Sequence, residues 1–202
     1  MTIQQLERRA FFEDHAHIWD DICNHDEQKI DEIMSIIDIQ HGDNVLDVGT
    51  GTGILIPHIM KRVTHKGNIV ALDYSENMIR KAQEKYPGSE YCNVSFIIDD
   101  FFALESEYKF DAVICYSCFP HFDDKRSFFH KAFEILNQNG YVLIAHSESR
   151  EKINAMHVRK HQAVRGDYLP SAEKIITFAE EVGFIIKEKI DHDDLFCLLF
   201  EK

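Results

Sequence analysis

The chain reads as a single α/β domain on a doubly wound, mostly parallel seven-stranded sheet with an antiparallel last strand. Three observations predict this. Five short apolar runs alternate with segments of helical periodicity, and strands joined by crossover helices must run parallel. The first run, Asn44-Val45-Leu46-Asp47-Val48, passes directly into Gly49-Thr50-Gly51-Thr52-Gly53, the grammar of strand, tight turn and helix. The chain closes on two apolar runs, residues 183–190 and 195–200, separated only by Asp191-His192-Asp193-Asp194. That link is too short for a crossover, so the final pair is an antiparallel hairpin. A length of 202 residues with 45% hydrophobic content supports one full-sized core, here taken as residues 1–202.

In chain order, residues 3 to about 20 are helical but carry large aromatics beside histidines, from Phe11 and Phe12 to Trp19. Residues 1–40 therefore read as an N-terminal helical lid on a core of residues 41–202; the alternative is an aromatic staple onto the domain surface. Residues 26–37 place Ile30, Ile33, Met34 and Ile37 on one helical face. After the glycine loop a helix runs to about Val63, and strand two covers 68–73. Ser75 is positioned to cap a helix carrying Met78, Ile79 and Ala82, which Pro87-Gly88 ends. Strands three and four cover 94–98 and 110–116. A helix over 125–137 buries Phe128, Phe129, Ala132, Phe133 and Leu136, and Asn139-Gly140 stops it before strand five at 141–145. A charged helical segment from Ser149 to about Val164, then a last helix over 171–182, complete the core.

The loop spacing narrows the ligand. A dinucleotide fingerprint wants glycine at the sixth position from Gly49, where this chain has Ile54. Acids recur at strand ends instead: Asp47, Asp73, Asp99 and Asp100. They would repel a pyrophosphate and favour a cationic ligand bearing a ribose. Asp73 stands about 20 residues past the loop, where a carboxylate can hold a ribose diol. S-adenosylmethionine, a sulfonium and an ammonium joined to a nucleoside, meets these demands. On Val45–Gly53, Ala71-Leu72-Asp73-Tyr74-Ser75-Glu76-Asn77-Met78 and Phe96-Ile97-Ile98-Asp99-Asp100-Phe101, the chain resembles the class I S-adenosylmethionine-dependent methyltransferases over roughly residues 40–200. Within that class it looks most like the small-molecule branch typified by ubiquinone and menaquinone biosynthesis.

The resemblance implies a Rossmann-like methyltransferase fold and a set of roles. Gly49, Thr50, Gly51 and Gly53, with Asp47, would face the methionine moiety, and Asp73 the ribose hydroxyls. Asp100 would accept from the adenine amino group, the Phe101 N–H would meet the ring, and Met78 would pack on its face. Asp99-Asp100 stands where the family often has Gly-Asp, so either acid can be the adenine contact. Tyr74, Tyr116 and Ser117 leave strand ends on the same side. The lid would bring Phe12 and Trp19 over cofactor and substrate.

Ligands of open α/β sheets bind at the carboxyl ends of the strands, where His121 and His146 follow strands four and five. Histidine suits a general base near neutrality, so these two are the catalytic candidates, with His157 and Arg150 facing the substrate. His157 and His161 are spaced i, i+4. A metal gathered by His121, His146 and His157 is the alternative, though no compact ligand motif supports it and none is expected. Most of the 12 histidines can equally be surface residues, and Arg150 can pair with Glu151.

A formal charge of −13 disfavours nucleic acid and acidic membranes as partners. The five scattered cysteines suit reduced thiols, Cys115-Tyr116-Ser117-Cys118 reads as packing, and no leader or spanning run is evident. The expectation is a cytoplasmic enzyme that methylates a small molecule at oxygen, sulfur or carbon. A non-catalytic S-adenosylmethionine-binding module and a nicotinamide oxidoreductase are the competing classes.

Overall fold

The computed structural model describes residues 2–23, 25–159 and 162–202. Two short helices, α1 (Ile3–His15) and α2 (Trp19–Ile22), precede α3 (Glu27–Ile36) and the first strand, β1 (Asn44–Val48). Then follow α4 (Ile56–Val63), β2 (Asn68–Asp73), α5 (Glu76–Lys85), β3 (Val94–Ile98) and β4 (Phe110–Tyr116). The chain continues through α6 (Lys125–Ile135), β5 (Leu136–His146), α7 (Arg150–Arg159), α8 (Ala172–Glu180), β6 (Ile185–His192) and β7 (Leu195–Glu201).

The seven strands form one sheet in the order β3-β2-β1-β4-β5-β7-β6. Every pairing from β3 across to β5 is parallel, and β7 is antiparallel to both β5 and β6. The doubly wound sheet with an antiparallel last strand is thus as expected, and β7 enters between β5 and β6. The strand order reverses at β1, with β2 on one side and β4 on the other, so the crevice at the carboxyl ends of β1 and β4 is the natural ligand site.

Alternating residues of each central strand feed opposite faces. Leu46, Val48, Val113 and Cys115 pack with Phe128, Phe129 and Ala132 of α6 and Ile175 and Ala179 of α8. Val45, Ala112 and Ile114 pack with Ile30, Ile33 and Met34 of α3 and Ile59 of α4. The cap predicted at Ser75 holds, and Asp26, Asp124 and Ser171 do the same for α3, α6 and α8: each side chain accepts from first-turn N–H groups.

Several boundaries differ from the sequence reading, among them the ends of α6, of the N-terminal helix and of α7, which closes at Arg159. Helix α6 stops at Ile135, because Leu136 already pairs with Phe110 of β4 and begins β5. The N-terminal helix ends at His15, and a tight turn over Ala16–Ile18 redirects the chain before Trp19. Among the described residues no helix is long and apolar enough to cross a membrane.

Candidate active site

A cavity of about 360 Å³ opens at the switch point, within the range of small-ligand sites. Its floor is the turn after β1. Gly49, Gly51 and Gly53 all take positive φ, the left-handed region that side chains resist. A Cβ on Gly49 would stand 2.8 Å from Cys118 Cβ, so the loop can lie against the end of β4 only with glycine there. At Gly51 the nearest atom to such a Cβ is Trp19 Nε1 at 3.9 Å; the absent side chain leaves room on the cavity side rather than avoiding a clash. Gly53 does not line the cavity and packs towards Ile56 and Tyr86.

Two acids shape the floor. Thr50 Oγ1 donates to Asp47 at 2.7 Å, and burial raises the Asp47 carboxyl to about 7. Asp73 accepts the Gly51 N–H at 2.9 Å on one oxygen and the Ser75 N–H at 2.8 Å on the other. Burial again dominates and raises Asp73 to about 6. A cationic or diol-bearing ligand would restore the ionised forms. Met78, Asp99, Asp100 and Phe101 complete this side of the wall. Asp100 is less exposed than Asp99 and accepts the Phe102 N–H at 2.9 Å, closing the turn that presents Phe101. The floor offers a carboxylate at the end of β2, space above Gly51 and apolar cover from Met78, features that a cationic nucleoside can use.

The N-terminal helices line the cavity, and their aromatics span it. The Phe12 ring lies 5.4 Å from Trp19, 6.2 Å from Tyr74 and 5.1 Å from His121, joining the cofactor side to the acceptor side. Three polar anchors hold the lid down. Glu13 accepts the Glu76 and Asn77 N–H groups at 2.7 and 2.9 Å, adding charge to the positive end of α5. Asp20 accepts from Thr52 Oγ1 at 2.5 Å and from Lys85 Nζ at 2.8 Å. Arg8, 3% exposed, reaches beneath the acceptor side.

On that side His121 closes a one-turn helix after β4, and its Nδ1 lies 2.5 Å from Asp167 Oδ2. Burial pushes the Asp167 carboxyl up, but His121 and Arg8 outweigh it and hold the group below the ordinary range. His146, last residue of β5, is 1% exposed, and neither ring nitrogen has a hydrogen-bond partner among the described residues. Burial, reinforced by His121 and His157, lowers its pKa to about 3, so this imidazole is neutral and lines the cavity as a hydrogen-bonding group. His157 also lines the cavity, with its ring 5.3 Å from that of His121. His161 lies outside the described residues. Among the described residues no three His, Cys, Asp or Glu side chains are gathered to hold a metal.

Tyr116 and Ser117 line the wall where β4 ends, and Ser117 takes a left-handed φ of 56°. Such backbone in a non-glycine residue is stored strain of the kind found at ligand sites. The Tyr116 hydroxyl donates to Ser147 Oγ at 3.0 Å and lies 3.0 Å from His25 Nδ1. Arg150 does not line the cavity; it pairs with Glu151 and stands 3.9 Å from Asp191, the ordinary surface partners of a helix-starting arginine.

Arg8, Asp167, Glu13 and Cys118 escaped the sequence reading. Leu6-Glu7-Arg8-Arg9 looks like a solvated helix face and Gly166-Asp167 like a turn. Cys118 does more than pack: its thiol donates to the Val48 carbonyl at 2.9 Å and backs Gly49, and burial raises its pKa. Only its place in a Cys-x-x-Cys hinted at a role.

Comparison with known proteins agrees with this geometry. A family profile described as a methyltransferase domain matches residues 39–189. Malonyl-[acyl-carrier protein] O-methyltransferase 1 of Ilyobacter polytropus is 33% identical over 99 residues, 49% of this chain and 36% of that protein. Phosphoethanolamine N-methyltransferase 1 of Triticum aestivum is 27% identical over 172 residues, 85% of this chain but 34% of its own length. The chain thus spans about a third of the length of these relatives. Among solved structures, N-methyltransferase NodS of Bradyrhizobium japonicum WM9, in complex with S-adenosyl-L-homocysteine, superposes with a TM-score of 0.73 at 13% identity, covering 97% of this chain and 98% of that one. A SAM-dependent methyltransferase from Aquifex aeolicus gives 0.69 at 19% identity, with 87% and 93% covered. At these identities the likeness is one of fold.

Proposed function

Because the chain belongs to the methyltransferase-domain family, with the family profile spanning residues 39–189, we propose that it transfers the methyl group of S-adenosylmethionine to a small-molecule oxygen, sulfur or carbon nucleophile. When bound, the cofactor supplies an electrophilic methyl on a positively charged sulfur. The protein has to hold it, exclude water, orient the acceptor and take a proton.

The residues divide accordingly. Asp73 holds the ribose hydroxyls, the Gly49–Gly51 backbone seats the methionine end, and Asp100 with the Phe101 N–H and Met78 receives the adenine. Phe12 and Trp19 cover the site and keep water out. His121 is the base. Asp167 accepts from Nδ1–H, which leaves Nε2 as the proton acceptor, and the same carboxylate stabilises the imidazolium once the proton arrives. His146, lowered to about 3, is unsuited to hold a proton near neutrality, and we assign it to orienting the acceptor by hydrogen bonding. The single observation that carries the reading is the Asp167–His121 pair, whose imidazole lines the same cavity as the glycine loop.

Incubation with isotopically labelled S-adenosylmethionine and a panel of thiols, phenols and quinols tests it. Transfer to at least one acceptor class is expected, and it should collapse in His121→Ala while S-adenosylhomocysteine still binds. Binding without transfer to any acceptor would make the chain a binding module, and full turnover in His121→Ala would remove the base.

A further inference from the structure

The third lid anchor differs in kind from the other two. Glu13 and Asp20 tie the lid to the first turn of α5 and to the glycine loop, both on the cofactor side. Arg8 crosses to the acceptor side and engages His121 from behind. Its Nη1 donates to the His121 carbonyl at 2.7 Å. Its Nη2 donates to Asp167 Oδ1 at 2.6 Å and Asp123 Oδ1 at 3.0 Å. Asp167 thereby gives one oxygen to the lid and the other, at 2.5 Å, to the His121 imidazole. Burial opposes the Arg8 charge, yet the two carboxylates overcome it and its pKa lies above the ordinary value. The guanidinium is therefore a permanent cation fixed behind the base.

The geometry points to Arg8 as a positioning residue through which closure of α1 assembles the His121–Asp167 pair, so that covering the cofactor and readying the base are one event. The assignment rests on His121 acting as the base. With α1 lifted, Asp167 Oδ1 loses its partner and the one-turn helix at Phe119–His121 loses the donor on its last carbonyl. The imidazole is then free to rotate away from the acceptor. A buried carboxylate holding only one of its two partners is also the costly arrangement, which favours closure once a ligand fills the cavity.

Arg8 also sets the electrostatics of the pair. Around the His121 ring stand Asp167, Asp123 and Arg8, with His157 from α7, neutral His146 from β5 and the Tyr74 ring beyond Phe12. Lys125 of α6 donates to the Phe122 and Pro120 carbonyls at 2.7 and 3.3 Å. Removing only the Arg8 cation leaves the imidazolium facing an uncompensated carboxylate. Protonation becomes easier and the titration midpoint of His121 should rise by about half a pH unit or more. Removing the Asp167 charge should move it the other way.

The test follows the His121 ring by long-range ¹H–¹⁵N spectroscopy in the full chain saturated with S-adenosylhomocysteine, the signal being assigned by its loss in His121→Asn. We expect an Nδ1–H tautomer in the parent protein, an upward shift in Arg8→Gln, a downward shift in Asp167→Asn, and partial return towards the parent in Arg8→Lys. Glu13→Gln, which keeps the Arg8 contacts, should shift the His121 signals less than Arg8→Gln does. S-adenosylhomocysteine affinity in Arg8→Gln should stay within about threefold, the cofactor-side anchors being intact. Unchanged His121 signals in Arg8→Gln would overturn the coupling. Should Arg8→Gln fail to fold, an unshifted or upward midpoint in Asp167→Asn would do the same. Because this readout needs no turnover, it separates from the base assignment, which falls on full transfer by His121→Ala.

Discussion

The two sides of the cavity are built by different rules. The cofactor side comes from three short stretches at the ends of β1, β2 and β3, and its main internal bonds are short in sequence: Thr50 to Asp47 and Ser75 to Asp73, with Gly51 to Asp73 spanning 22 residues. The acceptor side gathers Arg8, His121, His146, His157 and Asp167 from five separate places, with Arg8 lying 113 residues from His121 and 159 from Asp167. A turn that must take positive φ and leave open space writes its requirement locally. A hydrogen-bonded pair between distant segments writes nothing beyond two polar residues. Cofactor recognition therefore tolerates little change along a few contiguous residues, whereas acceptor chemistry depends on how whole elements are packed.

Substitutions that should strike one side and spare the other sharpen the contrast. The largest effect belongs to the acceptor side. His121→Ala should lower turnover on any accepted substrate by on the order of 10² to 10⁴, with S-adenosylhomocysteine affinity within about twofold by calorimetry. A parallel loss of affinity would show that the two sides are not separable. The converse is Gly51→Val, which forces a β-branched side chain to φ 56° and fills the space above the loop. A fall in S-adenosylhomocysteine affinity on the order of 10²-fold or more follows, and undiminished binding would remove the loop from the site.

Proton concentration offers a gentler probe. Asp47 at about 7 and Asp73 at about 6 both sit above the ordinary carboxylate value. As pH falls from 8 to 5 they take up protons and the floor loses negative charge. S-adenosylmethionine affinity should drop roughly tenfold over that window, and the neutral thioether S-adenosylhomocysteine should lose less. For the ligand-free protein the sign is opposite. Between the unfolded value of 3.8 and the folded values the native state binds more protons than the unfolded chain, so these two groups add stability as pH falls from 7. Equal pH slopes for the two ligands would contradict the charged floor. The smallest effect is expected at the lid: Glu13→Gln weakens one charge-assisted cap on α5 and should speed S-adenosylhomocysteine dissociation by about twofold to fivefold in stopped flow. A lid variant that slowed release would reverse the role given to the anchor.

Much of the molecule was legible before folding. Strand–glycine–helix grammar, the acid closing β2 and the short link between β6 and β7 prescribe the parallel sheet, its antiparallel final hairpin and the turn at the floor, because each is a local rule of backbone conformation or chain length; the place of β7 between β5 and β6 is not such a rule. The end of α6 was misplaced for the opposite reason: Leu136 suits a helix by periodicity, and its pairing with Phe110 of β4 outweighs that preference. Arg150 carried the right charge for a substrate contact, yet the nearby acids of α7 and β6 claim it. His121 could be named as a strand-end histidine. Its separation in role from His146 could not, since the two differ only in what surrounds them: one imidazole meets a carboxylate from a loop 46 residues away, the other meets burial without a partner. The sequence alone prescribes the fold and nominates the residues of the floor. The tertiary structure alone separates the two strand-end histidines, because desolvation and nearby charge exist only once distant segments have packed together.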